Sequence, residues 1–192
     1  MASISTRRGD GGSTGRPGGA RTSKSDLRVE AAGSIDELGA AIGLARAFCD
    51  DPQIAALARA VQRDLFPLGA AVSTKPGSRR PVPEIPTTMV ARLDDAVATL
   101  EAEPGIAHDW TIAGEYRGSA AFELARTIAR RTERNVVRMV TAGEKLQPAV
   151  LAYLNRLSDV LWLCARVVEA RAGIDARLRD ADHPGPPWSA AW

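Results

Sequence analysis

The segment "ARTIARRTERNVVRM", residues 125–139, holds the densest group of residues able to do chemistry. Arg126, Arg130 and Glu133 stand at i, i+4 and i+7, which is one face of a helix, and Arg131 and Arg134 lie beside them. Guanidinium groups grip phosphate oxygens with bidentate geometry, and a carboxylate among them can fix their orientation or hold a divalent metal. The same spacing also suits a solvated face laced with ion pairs such as Arg130–Glu133, so two readings are open. A second polar group, Asn155, Ser158 and Asp159 in "YLNRLSD", flanks an apolar stripe and needs hydrogen-bond partners, in the fold or in a ligand. A third stretch is "STRRGDGGSTGRPGGARTSK", residues 5–24, with six glycines among Arg7, Arg8, Arg16, Arg21 and Lys24. Its backbone N–H groups could form an anion nest, yet it lacks the P-loop pattern and its composition also fits a disordered leader.

These residues must be positioned by helices, because strand signals are scarce and the apolar residues recur every three or four positions. Ile35, Leu38, Ile42 and Ala45 mark a first helix over about 30–49, with Ser34 and Glu37 fitting a capping box that leaves Asp36 uncommitted. Asp50, Asp51 and Pro52 start a second helix with Ile54, Leu57, Val61, Leu65 and Leu68 inward, and Pro67 is expected to kink it near its end. Residues 74–86 read as a loop, and Val90, Leu93, Val97 and Leu100 mark a third helix. Residues 101–118 form a long connection of the kind that often carries function. The fourth helix is expected over about 119–141 and the fifth over about 147–171. In the fifth, Val150, Leu154, Leu157, Leu161, Cys164 and Val168 step by 4, 3, 4, 3, 4 and predict a narrow bundle seam. The fold class is therefore all-α: a five-helix bundle at 26–175, with a Gly/Arg-rich N-terminal arm at 1–25 and a proline-broken tail at 176–192.

The chain has 192 residues, enough to bury one core, with 45% hydrophobic and 25% charged residues. A net charge of +2 gives no ground for nucleic-acid binding, but residues 1–28 carry six basic groups against two acids, a local field that attracts an anion. No apolar run approaches a membrane span and no secretory h-region opens the chain, so a cytoplasmic protein with two reduced core cysteines, Cys49 and Cys164, is expected. His108 and His183 stand apart from each other and from any Cys/Asp cluster, which gives no support to a zinc site.

Taken in order, several motifs resemble the PduO-type ATP:cob(I)alamin adenosyltransferases: "TRRGDGGST" at 6–14, Lys24 in "SKSD", "RVEAAGSIDEL" at 28–38, "VQRDLFPLGAAVST" at 61–74, "GSAAFELARTIARRTERNVV" at 118–137 and "YLNRLSDVLWLCAR" at 153–166. The resemblance spans most of residues 5–170. It implies a homotrimer of five-helix bundles that moves the 5′-deoxyadenosyl group of ATP to the cobalt of reduced cobalamin, with Mg²⁺ on the triphosphate and release of triphosphate. Carried over by motif, Thr6, Arg7, Arg8, Gly9, Thr14, Gly15 and Lys24 wrap the triphosphate. Arg130, Arg131, Thr132, Glu133, Arg134 and Asn155 complete the nucleotide site, with Glu133 as the metal carboxylate. Asp36 pairs with Arg126 of a neighbouring subunit, and Arg130, Trp110, Asp36 and Arg126 form the catalytic set. The product could be handed to an adenosylcobalamin-dependent enzyme.

The family's F-x-x-P-G-G stretch reads "WTIAGE" here: Trp110 stands for Phe, Ala113 for Pro and Glu115 for the second Gly. Trp110 still offers an apolar ring for the side of the corrin from which the lower axial ligand is excluded. The departure keeps a second reading open, a non-catalytic ATP- or corrinoid-binding relative acting as sensor or delivery protein. A third is a purely structural bundle with a disordered arm.

Overall fold

The computed structural model describes residues 5–106 and 109–185. Among these, five helices follow a short hairpin: β1 Ser13–Gly15, β2 Arg21–Ser23, α1 Leu27–Ala47, α2 Pro52–Ser73, α3 Thr87–Glu101, α4 Arg117–Thr141 and α5 Pro148–Ala172. The expected all-α bundle is present, and the hairpin is an addition to it. The tail is described only to residue 185, and Trp188 and Trp192 lie outside the described residues, as does His108.

Local chemistry sets the helix starts. Asp51 accepts from the Gln53 and Ile54 amides at 2.9 and 3.0 Å, and Pro52 follows where its missing N–H costs nothing. Asp26 does the same for α1, accepting from the Arg28 amide at 2.9 Å. The Ser34–Glu37 capping box is thereby corrected. The helix begins seven residues earlier, Ser34 Oγ donates to the Ala31 carbonyl within it, and Glu37 faces α4 instead. Pro67, the expected kink position, lies inside α2, which runs on to Ser73.

Cross-helix pairs give the directions. Arg28–Glu144, Ser34–Thr132 and Glu37–Arg131 set α1 antiparallel to α4. Asn155–Glu133 and Arg166–Glu123 set α5 antiparallel to α4. Gln147–Ile85, Arg156–Asp94 and Arg171–Glu103 set α3 parallel to α5. Tyr153 on α5 donates to Asp64 on α2 at 3.1 Å, closing the bundle on that side, and burial with the Asp64 charge pushes its phenol up, so it stays protonated.

The narrow seam expected on α5 is wider in the structure. Val160, Leu161, Leu163, Cys164, Ala165, Val167 and Val168 are all buried. The reason is position: α5 packs against α4 and α3 and touches α2, so its second half has almost no solvent face. Cys164 and the half-buried Cys49 are free thiols, both held protonated by burial. Arg28, 1% exposed, takes the orphan carbonyls of Val72 and Thr74 at the end of α2 at 2.6 and 3.3 Å. No helix is long and apolar enough to cross a membrane among the described residues.

Candidate functional site

The site is built on α4. Adjacent residues of a helix point about 100° apart, so the arginines of residues 126–138 divide into two stripes. Arg126 and Arg130 turn toward α5 and the 102–116 connection, whereas Arg131, Arg134 and Arg138 turn toward α1. Each stripe opens on its own cleft.

The α1-side cleft, about 940 Å³, is lined by Lys24 from the end of the hairpin, Glu30 and Glu37 from α1, and Arg131, Glu133 and Arg134 from α4. Arg131 donates to Glu37 Oε1. Neither the Arg134 guanidinium nor the Lys24 ammonium makes a hydrogen bond or ion pair among the described residues. Glu133 lines this cleft while accepting from Asn155 Nδ2 of α5 at 3.2 Å. The Arg130–Glu133 pair of the solvated-face reading is thus absent.

The arm that delivers Lys24 is an antiparallel hairpin, not a disordered leader. Ser13 pairs with Ser23, Thr14 with Thr22 and Gly15 with Arg21. Gly18 and Gly19 make its turn at φ of 92° and 89°, where a side chain would be strained. Arg21 Nη2 holds the start of the arm by donating to the Arg8 carbonyl at 2.5 Å and the Ser13 carbonyl at 3.1 Å. Gly9 packs under Lys24: a Cβ there would stand 3.3 Å from Nζ. Thr6, Arg7 and Arg8 are exposed beside it. Thr14 and Gly15 line a smaller hollow of about 220 Å³ together with Asp36. At the base of the hairpin Asp26 is desolvated, yet the Thr22 hydroxyl, the Arg28 amide and the Arg16 guanidinium at 3.0 Å hold its pKa below the ordinary aspartate value.

The second cleft, about 480 Å³, is lined by Trp110, Arg126, Arg130, Asp159, Trp162 and Glu123 among others. Arg126 Nε donates to Glu123 Oε2 at 2.7 Å within the chain. Arg130 has no partner among the described residues. Trp110 is 49% exposed at the cleft wall. Ser158 is buried, donating to the Asn155 carbonyl at 2.9 Å.

Within one chain, therefore, Lys24, Arg131, Glu133 and Arg134 come together, and Arg126, Arg130 and Trp110 come together, but Lys24 and Arg130 open on different clefts. Asn155 bridges toward the first group through Glu133. Asp36 shares no cleft with Arg126 or Trp110; it lines a hollow of about 260 Å³ beside Phe66, which is 78% exposed. Thr132 faces neither cleft. It is fully buried and donates to the Ser34 carbonyl at 2.9 Å, so it fastens α4 to α1. Among the described residues no three His, Cys, Asp or Glu side chains gather as a ready metal site, and His183 is exposed against Asp180.

The motif reading did not single out Glu123, Trp162, Arg166 or Glu169. A signal existed: Arg166 and Glu169 interrupt the longest apolar run of α5 at i, i+3, and charges inside such a run require partners on another element.

Comparison with known proteins bears on this arrangement. The family model for cobalamin adenosyltransferase matches residues 4–168. The chain is 37% identical over 174 residues to the cobalamin adenosyltransferase of Cupriavidus metallidurans, covering 90% of this chain and 91% of that one. It is 38% identical over 173 residues to the corrinoid adenosyltransferase of Bacillus subtilis, covering 88% of each. Its fold is similar to that of a variant PduO-type ATP:corrinoid adenosyltransferase from Lactobacillus reuteri complexed with cobalamin and ATP. The TM-score is 0.85 at 26% identity, covering 92% of this chain and 99% of that one.

Proposed function

The chain belongs to the cobalamin adenosyltransferase family and is an ATP-dependent corrinoid adenosyltransferase, and from that premise we propose how its residues divide the work of moving the adenosyl group to reduced cobalamin. The cobalt(I) centre is the nucleophile. Its electron pair forms the Co–C bond at the ribose C5′, the C5′–O bond breaks, and that bond's electrons leave with triphosphate. The protein supplies no nucleophile; it aligns the reactants and stabilises charge collecting on the leaving group.

The observation that carries this reading is a set of cleft cations without partners among the described residues: Lys24 and Arg134 in one cleft and Arg130 in the other. A guanidinium already paired to a carboxylate must exchange one anion for another, whereas a free one gains the whole charge-assisted contact. Lys24, Arg134 and the hairpin backbone of Thr6–Gly9, Thr14 and Gly15 bind the triphosphate. Arg130 reaches it from the second cleft, where Trp110 offers its ring to the corrin. Arg7, Arg8 and Arg131 add to the field around the phosphates, and Asn155 holds Glu133 in place. Magnesium takes most of its ligands from phosphate oxygens and water, so a single carboxylate is enough on the protein side; Glu133, beside the arginines and already oriented by Asn155, suits that role.

The two clefts are joined by assembly. In a cyclic homotrimer each subunit presents one face to one neighbour and a different face to the other, so the arm cleft of one subunit can meet the Arg130 cleft of the next. The exposed Phe66 beside Asp36 supports a subunit contact there, with Asp36 reaching Arg126 of the partner subunit. The enzyme works in the cytoplasm and passes its product to an adenosylcobalamin-dependent enzyme.

Calorimetric titration with Mg-ATP tests the phosphate assignment. Lys24→Ala and Arg130→Ala should each weaken binding by about 1.5–3 kcal/mol, the worth of a hydrogen bond to a charged group. Arg59→Ala, on the exposed side of α2, should leave it unchanged. Wild-type affinity in both site variants would show the clamp to be wrongly placed.

A further inference from the structure

Arg166 is a buried charge that this division of work does not use. Its side chain has no exposed surface, although it stands in the apolar core of α5. A guanidinium in that position is costly unless it is paired and hydrogen-bonded, and here its two terminal nitrogens donate to acceptors from three directions. Nη1 donates to Glu123 Oε1 of α4 at 3.2 Å and to Thr111 Oγ1 of the connection before α4. Nη2 donates to Glu169 Oε1 at 3.0 Å. Nε stands 2.8 Å from Glu169 Oε2 at an angle too poor for a hydrogen bond, so that contact is purely an ion pair. The Cζ atom of the group lies 5.5 Å from the centre of the Trp162 ring, within cation–π range.

Glu123, Thr111 and Trp162 each line the Trp110 cleft, whereas Glu169 does not. Glu123 uses its other oxygen to hold Arg126 at 2.7 Å. Thr111 follows Trp110 directly, and Trp162 lines the same cleft. The far edge of the Trp110 segment is held by the chain after α5: Leu178 N donates to the Trp110 carbonyl at 2.7 Å, Ile112 N to the Ala176 carbonyl at 2.8 Å, and Thr111 bridges Arg177. The segment carrying Trp110 is thus pinned on one side by a backbone strap and on the other by Arg166.

We propose that Arg166 is a positioning residue for the corrin half of the reaction: through Thr111 it fixes the backbone that carries Trp110, and through Glu123 it fixes Arg126, so that the ring and the guanidinium keep one spacing across the cleft. The proposal rests on the reading of Trp110 as the corrin-side residue. The fork of five donors explains why the position holds arginine: a lysine could not reach an α4 carboxylate, a loop hydroxyl and a neighbouring carboxylate in one fixed geometry.

The test is Thr111→Val, which removes one acceptor but leaves every buried ion pair intact and so spares the fold. The expected result is a rise of about tenfold in the KM for cobalamin, the fold-change equivalent to one hydrogen bond, with the Kd for ATP unchanged. Hydrogen exchange should quicken in 109–112 and 174–178 while α4 and α5 keep their protection. Arg166→Lys should show the same split. A cobalamin KM within about twofold of wild type, or a parallel loss of ATP and cobalamin binding, would overturn the proposal. Trp110→Ala, assayed alongside, separates the two readings. If it raises the cobalamin KM while Thr111→Val does not, only the role of Arg166 falls; if neither does, the corrin-side reading falls and takes this proposal with it.

Discussion

At the scale of single residues, what matters is which charges are already committed. Arg131 and Glu37 are paired across the α1–α4 cleft with side chains 48% and 52% exposed, a setting in which an ion pair adds little stability. The Glu37 carboxylate nonetheless stands in the cleft assigned to triphosphate. Glu37→Gln should therefore tighten Mg-ATP binding by on the order of 0.5–1 kcal/mol at low salt, from the relief of like-charge repulsion and the release of Arg131. Titration at two ionic strengths checks this, and weaker binding in the variant would contradict it. The sequence made the arginine cluster of residues 126–134 legible as a candidate phosphate-binding group, because charge type and spacing are local properties. It did not reveal that Arg130 and Arg131 serve different clefts, since that depends on which elements flank α4. Nor did it reveal Thr132, whose residue type suits a ligand but whose direction on the helix buries it against Ser34.

At the scale of elements, the helices were legible to within a few residues because their signals are periodic and their stops are chemical. Pro52 and Pro148 open α2 and α5. The start of the first helix is hard to read from the sequence because Ser34–Glu37 imitates a capping box, whereas the working cap, Asp26, precedes residues with little apolar periodicity. The hairpin is hidden for a related reason: its strands are three residues long and rich in Gly, Ser and Thr, and it is held by Arg21 side-chain bonds to the Arg8 and Ser13 carbonyls that no propensity encodes. The caps themselves give a prediction. Burial would raise the Asp51 pKa, but the Ile54 and Gln53 amides and Arg171 outweigh it and hold the carboxyl below its ordinary value of 3.8. A depressed carboxyl pKa contributes stability that is present above the unfolded value and is lost as pH falls through the folded one. Asp51→Ala should cost about 1 kcal/mol at neutral pH, and the gap between variant and wild-type melting temperatures should narrow as pH drops below about 4. A gap that stays constant with pH would show that the charge contributes nothing beyond the cap.

At the scale of the whole molecule, one chain holds two separate clefts, which the proposed function joins into one site. The hairpin brings Lys24 to the α1 side of α4, the 102–116 connection brings Trp110 to the α5 side, and the body of α4 separates them. Helical periodicity in the sequence showed faces able to bind other helices but not which face meets another subunit; that is a property of three-dimensional shape. The account's central claim is that arm cations of one subunit and α4 cations of the next act on the same triphosphate, and subunit mixing tests it most directly. Lys24→Ala and Arg130→Ala chains, each impaired in ATP binding alone, are unfolded together, refolded and assayed anaerobically with reduced cobalamin at an ATP concentration well below the Kd of either variant. If each site draws its arm and its α4 from different chains, random mixing in a closed ring restores about a quarter of the sites, one combination in four being fully native. If both halves belong to one chain, every site keeps a defect, and activity no higher than the average of the separate variants would contradict the claim.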